Sequence, residues 1–452
     1  MSSAAQSGPL ARTFGFAGGG SRPLTLRYYL LAAAALLAWW GPPRIIGVDA
    51  SRTTESALKY DVDGAALLII VSWGLICAVV FFSLINRRMQ RKPVLSPRLT
   101  RGPLLVLFAY GALALLSALW APSFLITILR SVQLLFAILL IALFHQESME
   151  CDAKVGPLRL FYGYCVARVA NHLFFLLVSP RVVMVKENTR DRIGRLLGGG
   201  LFHRDYGAAT TCVAIMTAHS LSQRIAAPTV GTWLTSNWML FLTRIRGVIL
   251  PTVPCEAYLL MRGRSRSLPL LVFGGLLSIA VYAALFPDAV SQFFEQYVLQ
   301  KHRSLTTLSG RTFIWQYLLA RFSDSPLFGF GFATGPRTLL LGHTTVIDAH
   351  NVWIEALLSL GLVGLSLLLS ACSWGFLRAL RMSRQTTDPD ARLLAVWLLL
   401  LLSQSLTSTS IAMRSDELII LLTYISCGQL LARVPATPRS PSPLRPLPRR
   451  GM

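Results

Sequence analysis

The chain has 452 residues, of which 54% are hydrophobic and only 14% charged, with 43 Lys and Arg against 20 Asp and Glu for a net charge of +23. That balance excludes a soluble multidomain protein and points to a polytopic membrane protein. The excess of cations does not argue for nucleic acid, because it clusters between apolar segments, as the positive-inside rule requires.

Residues 1–23, rich in Gly, Ser and Ala, read as a disordered cytoplasmic N-terminus carrying Arg12 and Arg22. The first apolar stretch follows a long polar segment and reads as a span, not a cleaved signal. A span needs about 20 mainly apolar residues. On that basis spans are expected at 24–41, 64–85, 102–120, 123–144, 158–179, 207–222, 230–244, 246–262, 268–286, 352–377, 393–410 and 415–432. The segments 207–222 and 230–244 are short and carry Thr, Ser and Arg. The expected fold class is an all-α polytopic bundle of about twelve transmembrane helices. It divides into an N-terminal bundle over 24–286, a large periplasmic loop over 287–351, C-terminal helices over 352–432 and a Pro/Arg/Ser-rich cytoplasmic tail over 433–452.

Orientation follows from the cations. Arg87, Arg88, Arg91, Lys92, Arg98 and Arg101 form one cluster, Arg262, Arg264 and Arg266 a second, and Arg378, Arg381, Arg384 and Arg392 a third; the tail adds more. With twelve spans all of them share the cytoplasmic face with Arg27 and the N-terminus. One missed helix would throw half of the clusters across the membrane. The seven cysteines are scattered without a CxxC pair and read as packing residues.

The outer face then receives loops 42–63, Ala121-Pro122, 180–206 and 287–351, with tight turns near Ile245 and at 411–414. Loop 287–351 is more than twice as long as any other, and its amphipathic stretches suggest helices lying on the membrane surface. Cations on this face run against the topological bias. Arg190 and Arg192 read as solvated loop charge or headgroup contacts. Arg195 and Arg204 flank Gly198-Gly199-Gly200, Arg246 stands at the outer end of a span, and Gly310-Arg311 reads as a helix start, where free N–H groups favour an anion. Arginine suits a diphosphate, since its planar fork takes two oxygens at once.

Four of the seven histidines fall here: His203, His302, His343 and His350. His350 differs in sitting where a polar loop meets an apolar helix, with Asn351 beside it and Glu355 about one turn on. An imidazole there can serve as a general base near neutral pH. His203, between Phe202 and Arg204, is the second candidate. No HxxxH or HExxH pattern occurs in these loops, so no metal or cofactor is expected. Asp49, Asp61 and Asp63 can hold a divalent ion but read equally well as solvated charge.

The chain resembles the O-antigen ligase and polymerase superfamily of bacterial membrane glycosyltransferases. The likeness rests on several patches in order between about 100 and 375. Ser117-Ala118-Leu119-Trp120-Ala121-Pro122-Ser123, followed by Arg130, looks like that family's turn between paired spans. Arg195-x-x-Gly198 with Gly200-Leu201-Phe202-His203-Arg204-Asp205-Tyr206-Gly207 is similar to its outer loop, although Asp205 stands where Asn is usual. Leu242-Thr243-Arg244-Ile245-Arg246 looks like the start of a span, with Ile245 in place of Ser. Arg311-x-x-x-Trp315, Pro326-Leu327-x-Gly329-x-Gly331, His350-Asn351 and Gly361-Leu362-Val363-Gly364 match its C-terminal part.

The resemblance implies a metal-independent, inverting transferase of the GT-C type in the bacterial inner membrane, working on the periplasmic face. Its donor would be a glycan on undecaprenyl diphosphate. Its acceptor would be a sugar hydroxyl, on lipid A core for a ligase or on another lipid-linked glycan for an O-antigen or exopolysaccharide polymerase. In that scheme His350 takes the hydroxyl proton, Arg311, Arg195, Arg204 and Arg246 hold the diphosphate, and Asn351, Glu355, His203 and Trp315 support them. No nucleic-acid partner is implied. The competing class is a transporter or lipid-linked sugar flippase, which predicts charges within spans and two similar halves. Here the charged residues gather instead at one face and in one long loop, and no internal repeat is visible.

The topology is tested by cysteine labelling in intact cells. Ser304→Cys is expected to react with a membrane-impermeant thiol reagent and Pro93→Cys is not; the reverse pattern would invert the orientation.

Overall fold

A computed structural model of the protein describes residues 24–40, 64–153, 155–185, 195–196, 207–263, 311–340, 349–386, 389–408, 412 and 414–428. Within them the apolar segments form α1 (Leu26–Trp40), α2 (Gly64–Met89), α3 (Pro103–Leu116), α4 (Phe124–Glu150), α5 (Pro157–Val178), the single turn α6 (Pro180–Val183), α7 (Ala208–Gln223), α8 (Ala227–Thr243) and α9 (Arg246–Met261). After these come α10 (Arg311–Ala320), α11 (Gly335–Leu340), α12 (Val352–Gln385), α13 (Pro389–Gln404) and α14 (Asp416–Cys427). The expected span 268–286 lies outside the described residues.

Among the described residues four helices are long and apolar enough to cross a membrane, at Leu67–Met89, Phe124–Glu150, Pro157–Val178 and Val352–Gln385; Leu26–Trp40 and Pro103–Leu119 are apolar but shorter. The chain is a helical membrane protein. The all-α expectation needs one amendment, because Met184–Val185 (β1) pairs antiparallel with Arg195–Leu196 (β2) at the base of loop 180–206. Two extended segments leaving a helical bundle satisfy each other's backbone groups in this way.

One end of the bundle is tied by charge. Glu147 on α4 is buried, forms an ion pair with Arg27 Nε of α1 at 2.8 Å and accepts from Arg87 Nη1 of α2 at 3.4 Å, while Thr25 donates to its second oxygen at 2.7 Å. Arg87 also pairs with Glu150, which Lys92 reaches at 3.0 Å. A guanidinium as deeply buried as that of Arg87 is tolerable only because two carboxylates and the Pro93 carbonyl surround it. Part of the basic cluster that reports topology is thus also a fastener between α1, α2 and α4.

Helices α7, α8 and α9, at 16, 17 and 16 residues, are about 24–26 Å long. Their Thr and Ser content has a structural answer. α7 is buried along nearly its whole length, between α5, α8 and α9. Its hydroxyls donate back to carbonyls of the preceding turn, as Thr211 does to Gly207, Thr217 to Val213 and Ser220 to Met216. At its C-terminal end His219 Nε2 meets Asp390 Oδ1 at 2.9 Å, joining α7 to α13.

Two expected spans shift. The span at 393–410 is helix only over Pro389–Gln404; just beyond its end Ser405 and Thr407 turn their hydroxyls onto the Leu402 and Gln404 carbonyls. The following turn therefore starts near 405, not at 411. The span at 352–377 runs on to Gln385 and is broken at Gly361, whose φ of 65° and ψ of −163° are not helical.

That break is filled by the Pro326-Leu327-Phe328-Gly329-Phe330-Gly331 segment. The outgoing carbonyls of Leu358 and Ser359 accept from Phe330 N at 2.8 Å and Gly331 N at 2.9 Å. The N–H groups of Leu362 and Val363, which open the second half, donate to Pro326 O at 2.9 Å and Leu327 O at 3.3 Å. Each half of α12 thereby receives a backbone cap from the same six residues. Beyond them, Phe332 N donates to the Ser117 hydroxyl oxygen at 3.0 Å, and Thr127 Oγ1 donates to Phe332 O at 3.1 Å, docking the segment on α3 and α4. The large loop is locally ordered around this: Ile314, Leu318, Leu340, Ala349 and Leu358 form a small core of their own.

Glycine is required at the crossing. A Cβ on Gly361 would stand 2.1 Å from Leu327 O, and one on Gly329, at φ 65°, 2.6 Å from Leu358 O. Gly361→Ala is expected to destabilise the protein by about 2–4 kcal/mol through clash and strained backbone. Gly74, with open space around it, serves as control: Gly74→Ala should leave the thermal unfolding midpoint in detergent unchanged while Gly361→Ala lowers it sharply.

Candidate active site

The first turn of α12 is built with care. Asn351 caps it, its side-chain oxygen accepting from Trp353 N at 2.9 Å and Ile354 N at 3.2 Å. Its amide nitrogen reaches Leu406 O at 3.4 Å, and Val352 N donates to Ser405 O at 2.9 Å, so the helix start is stitched to the turn after α13. His350, just outside the cap, is half-buried and has a φ of 50°, in the left-handed region. Ala349 before it is fixed on both sides. Its N–H donates to Glu355 Oε2 at 3.2 Å, and its carbonyl accepts from Trp315 Nε1 at 2.8 Å.

The turn at 405–408 gathers the rest. Arg311, the first residue of α10, donates from Nη1 to Thr407 O at 3.3 Å. Gly247, the second residue of α9, packs so closely on Thr407 that a Cβ there would lie 2.1 Å from its hydroxyl oxygen. This places Arg246, half-buried at the head of α9, beside the same turn. Gly207, with a φ of 99°, stands before α7, and a Cβ on it would be 3.5 Å from Thr243 and 3.6 Å from Val248. The N-termini of α7, α9, α10 and α12 are therefore neighbours. Each helix start carries partial positive charge from its aligned peptide dipoles, so the arrangement favours an anion even before the guanidinium groups are counted.

The structure thus brings together Arg246, Arg311, Trp315, His350, Asn351 and Glu355. Arg195 contributes its backbone to β2, which lies against α8. His203 and Arg204 lie outside the described residues, as do Asp49, Asp61 and Asp63. Among the described residues no group of three His, Cys, Asp or Glu gathers as a metal site would require. The 405–408 turn itself was not among the expected site residues. Its signal was a run of Ser and Thr from Ser403 to Ser410 interrupting an apolar stretch, which marks a turn and not a span. Ser117 and Thr127, which seat the 326–331 segment, lay in or beside the Trp120-Pro122 patch without an assigned role.

Two comparisons with known proteins bear on the family. Residues 230–369 match the family model described as O-antigen ligase, a stretch that runs from α8 through the break in α12. The chain is also 30% identical over 135 residues to the exopolysaccharide production protein ExoQ of Rhizobium meliloti (strain 1021). That alignment covers 27% of this chain and 29% of the relative. The superfamily resemblance carried by the motifs is borne out.

Proposed function

Taking the chain as a protein of the O-antigen ligase and polymerase superfamily, we propose that it transfers a glycan from undecaprenyl diphosphate to a sugar hydroxyl at the periplasmic face of the bacterial inner membrane. The observation that carries this reading is the convergence of Arg246, Arg311 and His350 on one turn at Thr407, amid four helix N-termini. The fold is a GT-C-type bundle of about twelve spans, with 287–351 as its periplasmic loop.

The chemistry follows from what each group can do. The acceptor oxygen forms a bond to the anomeric carbon, inverting it, as the bond from that carbon to the diphosphate oxygen breaks. His350 takes the acceptor's proton. Negative charge grows on the departing diphosphate, where Arg311 and Arg246, with Arg195 and Arg204, stabilise it more in the transition state than in the bound donor. No metal is needed to neutralise that leaving group. Lipid A core is the acceptor in the ligase reading. A second reading, polymerisation of an exopolysaccharide or O-antigen, uses the same groups on a lipid-linked acceptor, and similarity to an exopolysaccharide production protein favours it.

Two variants assayed with purified lipid-linked donor test the assignment. Arg311→Ala is expected to abolish transfer at normal membrane levels, with Arg311→Lys recovering only part because the bidentate fork is lost. His350→Ala is expected to lower turnover by about two to four orders of magnitude while donor binding persists. Full activity in either Ala variant would remove that residue from the mechanism.

A further inference from the structure

His350 occupies a left-handed backbone conformation, with a φ of 50°, that a non-glycine residue adopts only at some cost. Something must hold it there. The peptide groups on its N-terminal side are both committed: Ala349 N–H to Glu355 Oε2 at 3.2 Å, and Ala349 O to the Trp315 indole N–H at 2.8 Å. On its C-terminal side Asn351 is fixed by its own capping bonds and by Leu406. Glu355 sits at the fourth position of α12 and reaches back over the cap to a residue six earlier. Its side chain is only 1% exposed, and Ala349 is fully buried. A carboxylate so placed is poorly suited to exchange protons with a sugar hydroxyl, yet well suited to hold one N–H in a fixed position.

We propose that Glu355 is the positioning residue for His350, acting with Trp315 through Ala349: the two side chains hold the peptide groups on either side of Ala349 and so set where the imidazole stands relative to the arginines. The proposal rests on His350 being the base. It assigns to Glu355 the role of hydrogen-bond acceptor, not of an alternative base or a ligand of the donor. Trp315, on α10 one turn from Arg311, carries the clamp across to the helix that also bears a diphosphate-binding cation. Base and cation are thereby held at a fixed separation by one short chain of contacts: Glu355, Ala349, Trp315 and the first turn of α10.

The experiment compares Glu355→Ala, Glu355→Gln and Trp315→Phe with His350→Ala in the full-length purified protein, measuring kcat, donor KM and thermal midpoint with lipid-linked donor. Glu355→Ala is expected to lower kcat about ten- to a hundredfold with donor KM within twofold. Glu355→Gln keeps an oxygen that accepts the Ala349 N–H and is expected to retain kcat within about threefold. Trp315→Phe keeps the ring, loses the N–H and is expected to lower kcat severalfold at unchanged donor KM. Glu355→Gln as inactive as Glu355→Ala, at a normal midpoint, would show that the charge or a proton matters and would overturn the proposal, as would full kcat in Glu355→Ala. A rise in donor KM as the main effect would overturn it in favour of binding. If Glu355→Ala fails to fold, Glu355→Gln and Trp315→Phe decide, since neither removes volume from the small core. Inactive His350→Ala beside fully active Glu355→Ala sinks the positioning role alone; active His350→Ala sinks the base assignment beneath it.

Discussion

The structure depends on one backbone exchange at the break in α12. A helix interrupted in a membrane protein leaves carbonyls on one side and N–H groups on the other with nowhere to go, and lipid offers them no partner. Here a single segment, residues 326–331, supplies both. It gives N–H groups to Leu358 and Ser359 and takes those of Leu362 and Val363. Gly329 and Gly361 allow the two backbones to approach this closely, and Ser117 and Thr127 seat the segment's far end on α3 and α4. The consequence is that the first part of α12, Val352–Leu360, is freed from the direction of the second.

That freedom has a use. The N-terminus of α12 is stitched to the turn after α13 through Ser405 and Leu406, and the same turn meets α9 at Gly247 and α10 at Arg311. A straight α12 would have to satisfy both its membrane-crossing part and this junction with one axis. The break separates the two demands. α12 packs along α3 and α13, while its first part, through Leu358, and α10 enclose the small core of Ile314, Leu318 and Leu340. Helix starts collected around Thr407 then produce positive potential from backbone alone, to which Arg246 and Arg311 add formal charge. At the opposite end, Glu147 and Arg87 fasten α1, α2 and α4 together away from this site.

The amino-acid sequence alone determined a good deal. Apolar run lengths placed the described helices to within a few residues at most ends, because burying a backbone in lipid leaves little choice but helix. The ordered motifs pointed to Arg246, Arg311 and His350, since cations against the positive-inside bias and a histidine at a loop-to-helix junction are unusual enough to notice. What stayed hidden was everything that depends on residues far apart in the chain. The break at Gly361 looked like an ordinary glycine in a span, because its reason, the Leu327 carbonyl, lies 34 residues earlier. The turn at 405–408 passed for the end of a helix because Ser and Thr are tolerated in spans when their hydroxyls bond back to the helix. Only tertiary structure decided that its carbonyls are needed by Asn351 and Arg311. The sequence marked which side chains are chemically able; the fold decided which of them meet, because hydrogen bonds between distant backbones are written in no local pattern.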